Sequence, residues 1–405
     1  MALEPLVSLE IGTHTVRVLV GEFRQDGHLL VTGIGEVSSR GMRKGEVVNF
    51  DAAVSCLRDA LDSAEEQSRT AIRSAYLAVG GPHVRSQVNR GQVPVIPAGS
   101  EISREHVHDA LESARAVSIP EDRVIVHTIR QRFVVDEHIE VLDPTGMSGS
   151  RLDAYVLAIH GLKNRISDLA DVVVALDVDV ADAAFSGLCA ALAVMHPEQK
   201  ENGSLLLDLG GGTTDYLVYA DRAIVAAGSL GIGGDHVSND IAVGLGRIAL
   251  STAEEVKVRY GRALVSAGFE ETIPLRIPSG PATPAYRRDL EVIINARLGE
   301  LFEIVREILA AQGLLPRLGA GVILTGGGAR MDGIADLCRQ IIGLPCTVGL
   351  PRDVSGLVVA GEAPEYATAV GLLKYAYRVR GERPRAPFLR RLLERLPLGG
   401  VRALQ

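Results

Sequence analysis

The chain has 405 residues, 47% apolar and 23% charged, which gives room for two to four cored domains and excludes a disordered or fibrous protein. Its formal charge of −8 argues against a nucleic-acid binder, because such domains are usually basic. Glu4 and Glu10 break up the N-terminal apolar stretch, no uncharged run reaches the ~18 residues of a membrane span, and the four cysteines (Cys56, Cys189, Cys338, Cys346) lack C-x-x-C spacing, so a reducing, cytosolic body with isolated core thiols is expected.

In chain order, Leu6–Ile11, Val16–Gly21 and Leu29–Gly35 read as strands separated by the turns Gly12-Thr13 and Asp26-Gly27. Asp51 is a candidate cap for a helix carrying Ala53, Leu57, Ala60, Leu61 and Ala64 at helical spacing. Ala75–Val79 is a further strand, ended by Gly80-Gly81-Pro82. From His83 to His160 the texture changes. Short strands (Gln92–Ile96, Val124–Val135, Leu152–Ile159) surround one helix, Arg104–Val117, with Ser103 as its cap, as in a small inserted α+β unit.

A helix at about Lys163–Ala175 restores the α/β rhythm, and Ala183–Met195 reads as an Ala-rich helix suited to close packing between lobes. The opening pattern then returns: strand Leu205–Leu209, turn Gly210-Gly-Gly212, strands Asp215–Tyr219 and Ala223–Ser229. Two such units, near residues 7–35 and 204–230, signal an internal duplication. A long helix (Arg287–Gln312), a Gly-rich turn in Val322–Ala329 and a helix over Pro364–Tyr377 complete the body.

Three Gly-rich turns follow apolar strands: Glu10-Ile-Gly-Thr-His-Thr15, Asp208–Asp215 and Thr325-Gly-Gly-Gly-Ala329. Glycine permits close backbone approach to an anion, and successive N–H groups in such turns form an anion nest, to which the hydroxyls of Thr13, Thr213 and Thr214 can add donors. Carboxylates at strand ends, Glu10 and Asp208, suit a hydrated Mg²⁺. A single Gly turn is usually only a tight connection; the joint pattern is far more specific.

On these residues the chain resembles the actin, heat-shock chaperone and sugar kinase superfamily. Leu9–Thr13 matches its first phosphate loop, Leu207–Asp215 its second and Thr325–Met331 its adenosine loop. Ala253-Glu254-Glu-Val-Lys257 matches the helix whose Glu and Lys flank the adenosine. The resemblance implies an ATP site, with Mg²⁺, formed by Gly12, Thr13, His14, Thr15, Gly210, Gly211, Gly212, Thr213, Thr214, Glu254, Lys257, Gly326, Gly327, Gly328 and Met331. Glu10 and Asp208 would hold the metal through water.

Only Val37–Asn49 separates the third strand from its helix, where actins and chaperones insert a subdomain, and the unit His83–His160 appears later instead. That exchange, with Ser39-Arg-Gly-Met42, Lys44-Gly45, Ala253–Gly261 and Tyr366–Leu373, is similar to the FtsA family of bacterial division proteins over about residues 5–378. Its implied fold is α/β, actin-like, two-lobed and duplicated, with an inserted α+β subdomain and a C-terminal amphipathic helix. The expected first lobe comprises 1–82, 161–195 and 364–378, and the insert 83–160. The second lobe comprises 196–230 and 313–363, with an outer subdomain at 231–312, and 379–405 is the tail. Two departures stand out. His14-Thr15 replaces a frequent Ser-Lys, and Ser186 falls where actin and the chaperones carry a water-positioning Glu or Gln. No catalytic residue is assigned, and at most weak ATPase activity is expected, since losing such assistance commonly costs ~10²-fold in rate.

From Arg378 to Gln405 the net charge is +6, so the rest of the chain carries −14. After Pro387, Phe388, Leu389, Leu392, Leu393 and Leu396 fall on one helical face, with Arg390, Arg391 and Arg395 around the other, as in a surface-lying anchor for an anionic membrane. A terminal helix docked on its own domain is the alternative. The resemblance implies partners: the FtsZ C-terminal peptide in the outer subdomain 231–312, further copies of the chain in a filament, and later division proteins. It also implies a place on the cytoplasmic face of the inner membrane at the division septum. An FtsA-like pilus platform of the PilM type and a small-molecule kinase are the rival readings.

Overall fold

The computed structural model describes residues 4–116, 119–266, 268, 270–275, 283–357, 363–380 and 401–402. Two sheets share one plan. The first has the order Asp179–Phe185, Ser74–Val79, Leu6–Ile11, Thr15–Phe23, Leu29–Ser38 and the short edge strand Val354–Gly356. The second runs Cys346–Val348, Val322–Thr325, Ser204–Leu209, Thr214–Ala220, Ala223–Leu230. In both, an antiparallel meander of three strands is extended by two parallel ones.

The duplication extends to the turns. Gly12 N–H donates to the Thr15 carbonyl at 3.0 Å, and Gly210 N–H to the Thr213 carbonyl at 2.9 Å. Beyond the turns, Glu10 pairs in register with Arg17 and Asp208 with Asp215. Equivalent positions thus carry a cation in one lobe and a carboxylate in the other.

Two helices cross between the sheets. Ser186–Val194 is buried on every side, which its run of alanines and aliphatics requires. It packs on Ala367–Val379 so closely that a Cβ on Gly371 would lie 1.7 Å from the Cys189 carbonyl oxygen. Residues 183–185, read from sequence as the start of the first helix, instead finish the strand Asp179–Phe185, because their backbone pairs with Leu77–Val79. The helix Phe50–Ser68 is capped by Asn49, whose side chain accepts from Ala52 N–H at 3.1 Å; Asp51 lies in the first turn instead. Cys338 and Cys346, read as isolated, are neighbours whose thiols interact.

The unit between the first parallel strands is a five-stranded sheet: Ile139–Val141, Arg123–Val135, Arg151–Leu162 and Arg85–Pro94 run antiparallel in that order, and the short strand Val401–Arg402 pairs parallel with Thr128 and Ile129. The helix Arg104–Arg115 covers one face, around Ile102, Phe133, Leu152 and Val156. The sequence places this first strand at Gln92, since the mostly polar run Arg85–Gly91 lacks an apolar alternation. This unit also touches the second lobe. Ser86 Oγ donates to the Ala227 carbonyl at 2.6 Å and accepts from Ala227 N–H at 2.9 Å, while the buried Gln131 Nε2 donates to the Ile224 carbonyl at 2.9 Å. Gln131→Leu strips the donor from that carbonyl, so we expect a loss of about 1–3 kcal/mol. Faster amide exchange over Ala223–Leu230, read by mass spectrometry, is the accompanying sign.

Among the described residues, no helix is long and apolar enough to cross a membrane. The amphipathic face Phe388–Leu396 lies outside the described residues.

Candidate nucleotide-binding site

The two hairpin turns face each other across a cleft of about 860 Å³ between the lobes. Every residue assigned from the sequence to the nucleotide or the metal lines it: Glu10, Gly12–Thr15, Asp208, Gly210–Thr214, Glu254, Lys257, Gly326–Gly328 and Met331. The turns nearly touch. A Cβ on Gly211 would lie 2.4 Å from the His14 ring, and one on Gly212 would lie 2.6 Å from Thr13 Oγ1. Glycine is needed here because the opposing loop occupies the space a side chain would fill.

The third turn is held differently. Gly326 has φ +80°, and a Cβ there would lie 2.2 Å from Asp208 Oδ1. Its N–H donates to the Pro364 carbonyl, and Thr325 Oγ1 donates to the Pro364 and Gly349 carbonyls at 3.1 and 3.0 Å. The backbone therefore passes directly beside the carboxylate that ends the neighbouring strand. At the outer wall, Lys257 Nζ donates to Glu254 Oε2 at 2.6 Å and to the Gly234 carbonyl at 3.2 Å, placing this pair on the cleft side of the helix Leu250–Tyr260.

Three carboxylates meet at the cleft floor. Burial pushes Glu10 up to about 7, with Arg17 (3.7 Å) opposing and Asp208 reinforcing the rise. Burial also raises Asp208, although Thr368 Oγ1 donates to its Oδ2 at 2.7 Å. Asp215, raised to about 7 by burial and by Asp208, receives the Ser186 hydroxyl. Among the described residues, Glu10 Oε2 and Asp215 Oδ1 have no hydrogen-bond partner. Unpaired buried oxygens beside like charges are the environment a divalent cation would relieve. Among the described residues no three side chains form a direct metal-ligand set, so an ion would be held through water and ligand oxygens.

Thr214 differs from the sequence expectation. Its fully buried hydroxyl donates to the Ile232 carbonyl at 2.8 Å and is committed to the fold rather than to a ligand. Sequence reasoning also missed Arg17, Asp215, Asp235 and Thr368. Thr368 lies 160 residues from Asp208, and its place in the segment Tyr366–Leu373 does not point to that carboxylate, whereas Asp215 ends the second Gly-rich turn and its register opposite Asp208 was a usable signal.

Matching sheets, joined by crossing helices and closing on one loop-lined cleft, define an actin-like protein with an inserted subdomain. Solved structures share this fold. A PilM–PilN type IV pilus biogenesis complex aligns with TM-score 0.62 at 18% identity, covering 91% of this chain and 97% of that one. MreB5 of Spiroplasma citri bound to ADP aligns with TM-score 0.55 at 15% identity, covering 93% and 97%. The family model "Cell division protein FtsA" matches residues 205–371, and that of the SHS2 domain inserted in FtsA matches residues 81–160. FtsA of Pseudomonas aeruginosa is 36% identical over 96% of both chains. FtsA of Escherichia coli K12 is 34% identical, covering 91% of this chain and 90% of its own. The chain belongs to the FtsA family of cell division proteins. The pilus-platform likeness is one of fold alone.

Proposed function

We propose that this actin-like division protein binds ATP with Mg²⁺ in the cleft, assembles with further copies, and tethers FtsZ filaments to the cytoplasmic face of the inner membrane at the septum, where later division proteins are recruited. The observation that carries the reading is the convergence of three glycine turns and the Glu254–Lys257 pair on one cleft. The tips of the two turns, Thr13-His14 and Gly211-Gly212, offer backbone N–H groups to a polyphosphate from opposite sides, so a bound nucleotide fixes the angle between lobes. Gly326–Gly328 and Met331 would border the nucleoside. Mg²⁺ supplies charge neutralisation between the phosphates and the Glu10–Asp208 floor, which would hold it through water. Structures of MreB5 bound to ADP and to AMPPNP show that this fold accommodates adenine nucleotides in that protein.

Turnover is expected to be slow. The Ser186 hydroxyl is shared between the Val79 carbonyl and Asp215, leaving no group there to orient an attacking water.

In the outer subdomain, Lys257, Arg262, Arg287 and Arg297 are each engaged by a carboxylate. Arg247 has no such partner among the described residues and lies near the exposed Val243 and Leu250 in sequence, a combination suited to a peptide with acidic and apolar side chains.

Co-sedimentation on anionic liposomes tests the tether. The full chain should carry FtsZ down with the vesicles, and a chain ending at Gly381 should lose most of that recruitment. Equal recruitment by both forms would sink the membrane reading, and Arg247→Glu should weaken FtsZ capture without changing vesicle binding.

A further inference from the structure

His14 comes from the first turn of the first lobe, and its ring reaches across the cleft. Its Nε2 is in hydrogen-bond contact with Asp235 Oδ1, in the first turn of the second-lobe helix Gly234–Gly244. Asp235 is itself anchored. Its N–H donates to the Gly211 carbonyl at 2.8 Å, and Gly234 N–H to the Gly210 carbonyl at 3.0 Å, so the carboxylate moves with the second turn. The imidazole packs over Gly211, where any Cβ would collide with it. A side-chain bond therefore already joins the two turns that a polyphosphate would join.

We propose that His14 and Asp235 form a clasp that closes the cleft in the ligand-free protein, and that a polyphosphate must displace Asp235 to take His14 as its donor. This rests on the nucleotide-binding reading for its second half only. One imidazole N–H cannot serve two anions at full strength, so the clasp competes with the ligand and lowers its apparent affinity.

The charges around the ring fix the pH dependence. Asp235 faces it from the helix Gly234–Gly244, Glu254 and Lys257 from Leu250–Tyr260, and Lys44 borders the second turn. The Asp235 hydrogen bond raises His14, with burial opposing. Since the folded value lies above 6.5, the clasp is fully formed below 6.5 and is lost as pH rises through the folded value.

The test uses the full chain in four forms: wild type, Asp235→Asn, His14→Ser and the double variant. Calorimetric titration with MgATP at pH 6.5 should show Asp235→Asn binding about two- to fivefold tighter than wild type, the range an exposed ion pair supports. The gain should vanish in the His14→Ser background and shrink at pH 8.5. An equal gain in both backgrounds would mean that Asp235 acts only as a repelling charge, and the proposal fails. It fails equally if Asp235→Asn leaves affinity unchanged or weakens it. Amide exchange of the nucleotide-free protein decides the clasp separately. Gly12–Thr15 and Gly210–Thr213 should exchange faster in both single variants, and unchanged exchange overturns the clasp. Absence of ATP binding by every form, with that faster exchange, would instead sink the nucleotide reading and leave the clasp standing.

Discussion

Gly371→Ala is expected to lower the thermal midpoint by roughly 3–4 °C, as a loss of about 3 kcal/mol does when the unfolding entropy scales with a chain of 405 residues. The reason is geometric. The new methyl would sit 1.7 Å from the Cys189 carbonyl oxygen, less than half a normal contact distance, and that oxygen belongs to helix backbone rather than to a side chain that can turn away. Alanine in a helix interior gains about 1 kcal/mol over glycine from backbone entropy. Overpacking usually costs about 1–3 kcal/mol and occasionally more; with helix backbone as the obstacle and Thr368, which holds Asp208, displaced as well, a gross cost of about 4 kcal/mol leaves the net loss of about 3. Differential scanning fluorimetry of the purified variant reads the result. A midpoint within about 1 °C of wild type would show that the helices have slack the packing does not reveal.

Asp215→Asn should have the opposite sign. Asp215 is 5% exposed and its carboxyl is raised from 3.8 to about 7, so the folded protein favours the neutral form. For a raised acid, folding stability is highest below 3.8 and falls as pH rises towards 7, because ionising the buried group costs more than ionising it in the unfolded chain. Asparagine removes that cost and can still accept from Ser186. At pH 8 the nucleotide-free variant should be more stable than wild type by roughly 2–4 kcal/mol, with the gap closing as pH approaches 4. Urea unfolding at pH 5, 6.5 and 8 measures it. A gap that is constant with pH would mean that Asp215 is not the group whose ionisation is opposed. If MgATP then stabilises wild type more than the variant at pH 8, part of the ligand's effect is relief of this charge.

The sequence carried the duplicated hairpins clearly. Each is an apolar strand, a short turn and an alternating strand within about 30 residues, and local contacts of this kind leave a periodic trace. Glycine clusters also marked where opposing loops must come close. Side chains whose role depends on distant partners left no trace. Thr368 and Asp235 show no role until the lobes meet, Arg17 shows none until strand pairing sets it beside Glu10 and Glu36, and the exchange of a cation for a carboxylate at Arg17 and Asp215 is visible only in the register. Conversely, Thr214 looked like a ligand donor because its hydroxyl stands in a glycine loop. Only the fold reveals the Ile232 carbonyl that takes it. The strand Asp179–Phe185 was hidden by its alanines, which favour helix in isolation and were overruled by the pairing with Ser74–Val79.

Ser86 and Gln131 tie the inserted unit to the edge strand Ala223–Leu230, although the chain enters and leaves that unit from the first lobe. Three bodies are therefore joined in a closed mechanical loop, and a hinge movement between two of them must be matched at the third. A protein that gripped the insert more tightly at one lobe angle than at another would bias that angle, and by reciprocity the cleft's occupant would shift that protein's affinity by the same free energy. The strand edge held by Ser86 is also withheld from other chains, so strand addition at that point requires the insert to let go first.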